Sequence, residues 1–133
     1  EAAIALEQAA TQWLEVHALP ALPAPSLDVH ALVGDLFDET EPGRGAARFH
    51  GALAEGLVDA AAAHGATRLV LAGGCFHNRL LSRLVTQGAA ARGIACLRPT
   101  TVDCGDAGLA LGQAWLAAHA VETDRCAWPC PPA

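Results

Sequence analysis

Two short runs hold the side chains that could do chemistry. Gly73-Gly74 is followed by Cys75, His77 and Asn78, and a second run holds Asp103, Cys104, Gly105, Asp106 and Gly108. Cysteine, histidine and aspartate are metal ligands, and a lone carboxylate such as Asp106 suits a hard or borderline divalent cation. The spacing of Cys75, His77, Cys104 and Asp106 is not that of a zinc finger, so a four-ligand zinc site is not expected. A cysteine is also commonly a small buried hydrophobe. The glycine pair has two readings. Bare backbone N–H groups at a helix start can hold a phosphate; equally, a tight turn can need positive φ. Neither the dinucleotide fingerprint nor the P-loop pattern is present. Asn78 and Asp106 each read as a ligand contact or as a helix cap.

The elements that must position these runs follow from periodicity. Residues 46–65 have helical spacing, with Phe49, Leu53, Leu57 and Ala61 on one face and Gly65 just past the end. Residues 67–72 and 94–97 are short apolar runs of strand length, and 78–92 between them returns to helical period. This order predicts an α/β fold with a right-handed βαβ unit and parallel strands. Ligands in such layers sit beyond the carboxyl ends of the strands. Those ends carry Gly73–Asn78 and Thr100–Gly108, and 106–121 forms the last helix. Upstream, 1–18 reads as an Ala-rich helix and 19–26 as a proline-rich linker. A weaker helix over 27–37 is capped by Asp28, and 38–45 reads as an exposed loop. Residues 122–133 read as a flexible tail. Two strands are few for a sheet, and the chain starts inside a helical pattern, so a piece of a longer protein is expected.

Composition narrows the function. The chain has 133 residues, 53% hydrophobic and 17% charged, with a net charge of −6. That is too apolar for a disordered chain. The basic residues are all Arg and scattered, which argues against nucleic acid as the main partner. No apolar run has membrane length. The 5 cysteines show no disulfide framework, and Cys126 and Cys130 among prolines read as incidental. A reducing, cytoplasmic setting is expected.

GGCFHNRLL (73–81) and GDAGLALGQAWLAA (105–118), with EAAIALEQAA (1–10) and ARFHGALAEGL (47–57), resemble the end of the HypF family of hydrogenase-maturation carbamoyltransferases. The resemblance implies a helix-rich C-terminal lobe, residues 1–121, of a TsaD-like domain of the actin/sugar-kinase/Hsp70-like type. It implies carbamoyl phosphate and ATP as substrates elsewhere in the longer protein, and carbamoyl adenylate as donor. The implied partner is HypE, whose C-terminal cysteine is the acceptor. Gly73, Gly74 and Asn78 fall in the nucleotide-binding turn, Gly105 and Gly108 in the loop beside the nucleotide, and Asp106 on a divalent-metal ligand. No catalytic residue is assigned, and the fragment alone is expected to be inactive. Gly105, Ala107 and His77 depart from the family's Asn, Gly and Gln; a methyl at Ala107 would crowd a phosphate or demand an altered turn. Related readings are a TsaD-like or small-molecule O-carbamoyltransferase lobe, or a non-catalytic docking module.

Overall fold

A parallel strand pair needs a crossover, and a helix supplies it here. The computed structural model describes residues 1–22 and 28–123. Helices α1 (Ala2–Leu14), α2 (Val29–Leu36) and α3 (Pro42–Ala63) precede strand β1 (Arg68–Val70). A 3-10 turn (Gly74–His77) leads into α4 (Arg79–Ala91), then β2 (Ala95–Leu97). A second 3-10 turn (Asp106–Gly108) opens α5 (Leu109–Thr123). The strands pair in parallel with Leu69 opposite Cys96, as the βαβ pattern predicts, and both lie inside the expected runs.

Several bounds differ from expectation. Helix α3 starts at Pro42, inside the segment read as an exposed loop. Proline at the first helical position has a preset φ and no N–H to lose, so Pro42-Gly43 begins the helix despite its glycines. Glu39, just upstream, is clamped: burial alone would raise its carboxyl, but the Glu41 N–H, Arg44 and Arg48 hold it below the ordinary carboxylate range. Helix α1 stops at Leu14, before the expected residue 18. Asp28 caps α2 by accepting from the His30 and Ala31 N–H groups. Glu122 and Thr123 belong to α5. Residues 23–26 of the proline-rich linker and 124–133 of the expected tail, with Cys126 and Cys130, lie outside the described residues.

The core is where α3 and α4 meet the sheet. Ala54, Val58, Leu71, Leu81, Val85, Ala89 and Ile94 are buried together. Leu53, Leu57 and Ala61 are half-buried against them, so the face read from the spacing is the flank of the buried stripe. Apart from His50 and Val58, the fully buried side of α3 is made of alanine and glycine, including Ala46, Ala47, Ala52 and Gly56. Such a surface lets α1 and α4 approach α3 closely. Trp13 closes the α1 side, its indole Nε1–H donating to Glu41 at 2.7 Å. On the α4 side, Arg92 reaches both Glu55 and Asp59 of α3 at 2.5 Å.

The start of α4 is tied to α1 as well. The Glu7 carboxylate accepts from the Arg79 N–H at 2.7 Å and the Leu80 N–H at 3.3 Å. Replacing Leu71, which is 1% exposed, by alanine should destabilise the chain by about 2–4 kcal/mol. The same change at Leu109, which is 60% exposed, should cost under about 0.5 kcal/mol. Glu7→Ala should cost about 1–2 kcal/mol, and Glu7→Gln, which keeps an acceptor, clearly less. Urea denaturation of each variant checks all three values.

Candidate functional site

Strand β1 ends and the chain must turn at once into α4. Gly73 does this with φ +108°, a conformation that a side chain would strain. Its N–H donates to the Cys104 carbonyl at 2.5 Å, which joins the first loop to the second. Phe76 and Asn78 donate the bonds that close the 3-10 turn, to Gly73 and Cys75. The N–H groups of Gly74 and Cys75 have no acceptor among the described residues. Ser82, buried in α4, holds the turn by donating to the Phe76 carbonyl at 2.8 Å.

The four glycines of the candidate site have different reasons to be glycine. Gly73 is required by its backbone. At Gly105 a Cβ would lie 2.9 Å from His77 Nε2 and 3.5 Å from the Gly74 Cα, so it is required by the approach of the two loops. At Gly108 a Cβ would run into the Asp103 carbonyl oxygen. Gly74 is different: its φ is outside the left-handed region, and a Cβ would meet nothing within 4 Å. The fold itself gives no reason for a glycine there, and the space beside it is open.

Asn78 is the cap of α4. Its Oδ1 accepts from the Leu81 N–H at 2.8 Å, and its Nδ2 lies 2.9 Å from His50 Nε2. Asp106 caps nothing: the capping position of its turn is Gly105, and its carboxylate makes no hydrogen bond or ion pair among the described residues. The loop is instead shaped by Asp103, whose Oδ1 accepts from the Gly105 N–H at 2.7 Å. Ala107 sits inside the 3-10 turn, where right-handed backbone accepts a methyl without strain. The departure from glycine at that position therefore demands no altered turn.

The six candidate residues line two openings. One, of about 460 Å³, is bordered by Glu7, Phe49, His50, Gly74 and Asn78. The other, of about 530 Å³, is bordered by Gly73, Gly105, Asp106, Gly108, Trp115 and Leu116. His77, in the lining of the first opening, reaches the second loop, with Nε2 3.5 Å from Asp103 and Nδ1 4.0 Å from the Cys104 sulfur. Among the described residues no three His, Cys, Asp or Glu side chains form a group that could hold a metal ion. Cys75, Cys96 and Cys104 are free thiols. No helix of the described residues is long and apolar enough to cross a membrane.

Two participants escaped the sequence reading, Glu7 and His50. Their partners are distant in sequence, and neither makes a local pattern with them. The one available signal was a histidine on the apolar side of α3.

The family model described as carbamoyltransferase, Kae1-like domain, second subdomain, matches residues 1–113. A carbamoyltransferase HypF homolog of Cupriavidus necator is 48% identical over 136 residues, covering 90% of this chain and 34% of its own length. Carbamoyltransferase HypF of Rhizobium leguminosarum bv. viciae is 37% identical over 94 residues, covering 66% of this chain and 12% of its own length. The chain thus spans about a third or less of these relatives. The crystal structure of T. kodakarensis HypF superposes with a TM-score of 0.74 at 24% identity, over 92% of this chain and 17% of that one; this is a likeness of fold. Matched over most of its length by the family model and by a relative of nearly half-identical sequence, the chain belongs to the HypF carbamoyltransferase family, as the second subdomain of its Kae1-like domain.

Proposed function

We propose that this chain forms part of the nucleotide and metal site of a HypF-type enzyme. The whole protein would transfer a carbamoyl group from carbamoyl adenylate to the C-terminal cysteine of HypE, in the cytoplasm, during nickel–iron hydrogenase maturation. Carbamoyl adenylate would be made from carbamoyl phosphate and ATP elsewhere in that protein. In the transfer, the acceptor thiol would give up its proton to solvent, its sulfur would bond to the carbamoyl carbon as the bond from that carbon to the phosphate oxygen breaks, and AMP would leave with the electron pair.

The observation that carries this reading is Gly74. It is a glycine that the fold does not need, beside open space, with two N–H groups in want of an acceptor. An anionic oxygen is the natural occupant of such a place. Asp106 supports it as an exposed carboxylate with no structural duty. Among the described residues no three side chains could hold a metal ion together, so Asp106 is proposed as a single ligand. A divalent cation held by Asp106 would take its other ligands from phosphate oxygens, water or residues outside the described ones. Bound there, the cation would supply charge neutralisation on the phosphate. Gly105 lets that loop approach His77 and Gly74, and Gly108 lets it close on the Asp103 carbonyl.

Three variants of the intact protein test this reading. Asp106→Asn should leave the melting temperature unchanged, because no cap is lost, and should lower metal-dependent carbamoyl transfer by about 10²-fold or more. Carbamoyl phosphate hydrolysis should survive. Transfer at the normal rate would sink the metal role. Gly74→Val should leave the fold intact and weaken nucleotide binding, whereas Gly108→Ala should destabilise the loop itself; calorimetry and thermal melts separate the two. Purified by itself, the 133-residue chain should neither hydrolyse carbamoyl phosphate nor carbamoylate a HypE C-terminal peptide, and turnover above background would contradict this.

A further inference from the structure

We infer that His50 is a positioning residue for the turn that ends at Asn78: it fixes the Asn78 amide so that one N–H is presented to the bound nucleotide. The inference rests on the nucleotide reading of that turn. His50 is 3% exposed, one of two buried polar residues among the described ones. It lies on a side of α3 otherwise built of alanine, glycine and valine. Packing alone gives no reason for an imidazole there. Both ring nitrogens are used. Nδ1 is 2.8 Å from the Ala46 carbonyl and Nε2 is 2.9 Å from Asn78 Nδ2.

The roles along this chain are forced. A carbonyl only accepts, so the proton is on Nδ1. The Leu81 N–H donates to Asn78 Oδ1, which assigns the amide and turns its NH₂ to His50. Nε2 must then be the acceptor. Capping does not explain the choice of asparagine either, because Ser or Asp would cap about as well. What Asn adds is the NH₂ group. One of its hydrogens goes to His50, and the other has no acceptor among the described residues. Asn78 and Gly74 border the same opening. The remaining hydrogen is thus a fixed donor next to the open glycine, suited to an acceptor oxygen or nitrogen of a nucleotide. His50 touches no ligand in this account; it acts through Asn78.

The test uses the intact protein and AMP, titrated by calorimetry, with folding of each variant followed by circular dichroism. His50→Leu removes the acceptor and should raise the Kd for AMP about tenfold. His50→Gln can still accept at its side-chain oxygen and should stay within about threefold of the wild type. Asn78→Ser keeps the cap and loses the NH₂; it should weaken AMP binding about as much as His50→Leu. The deciding variant combines His50→Leu with Asn78→Ser. If His50 acts through Asn78, the double variant binds no more weakly than Asn78→Ser alone. Wild-type affinity in His50→Leu, or losses that simply add in the double variant, would overturn the role. His50→Phe, which keeps ring volume without nitrogens, takes the place of His50→Leu if that variant does not fold. A wild-type protein that does not bind AMP would instead overturn the nucleotide reading itself, and this inference with it.

Discussion

The start of α4 has backbone N–H groups that no residue of its own helix can satisfy, and the lobe is organised by how they are met. Arg79 and Leu80 donate to Glu7 of α1, and Leu81 donates to the Asn78 side chain. Asn78 in turn is held by His50 of α3. One helix terminus therefore draws in α1, α3 and the turn that follows β1. The partners are separated by 72, 73 and 28 residues, so these few bonds fix tertiary placement rather than local conformation. Burial of Val58, Leu71 and Val85 supplies the larger stabilisation, but it is non-directional. The capped terminus sets the angle at which the layers meet.

The same bonds decide where a ligand anion can go. A helix N-terminus after a glycine pair looks like a phosphate site, but the Glu7 carboxylate already occupies that role at α4. The free donors are one step earlier, at Gly74 and Cys75 of the 3-10 turn. An anion held by this turn would therefore meet the Gly74 and Cys75 N–H groups rather than the α4 terminus.

Local signals were legible in the sequence, and long-range ones were not. Helical period gave α3 and α4, the short apolar runs gave the parallel pair, and Asp28, Asn78, Gly65 and Gly73 behave as their residue types lead one to expect. Each of these depends on a few neighbours along the chain. Glu7 and His50 depend on residues brought together only by packing, so no spacing rule finds them. Gly105 and Gly108 looked like ligand glycines, but each is explained by a neighbouring group within the loops. Helix α3 starts inside the acidic, glycine-containing run 38–45, because the preset φ of Pro42 favours the first helical turn. What distinguishes Asp106 and Gly74 is the absence of a structural task, which depends on tertiary packing and leaves no trace in local sequence.

Helix α5 raises the question of what holds Asp106 in place. Leu109, Leu111, Trp115 and Leu116 are each more than half exposed, and α5 packs chiefly on the turn that opens it. A helix with so little tertiary contact has little stability of its own to lend. The Asp106 loop is held from the other side. The Gly105 N–H is taken by Asp103, Cys104 is bonded to Gly73, and Gly108 sits tight against the Asp103 carbonyl. These contacts lie within the two loops and on the end of β1. The position of the carboxylate is thus set by the sheet edge and the glycine turn, and would survive a reorientation of α5. In the metal role proposed above, such anchoring would hold the carboxylate relative to the glycine turn rather than to the helix that follows it.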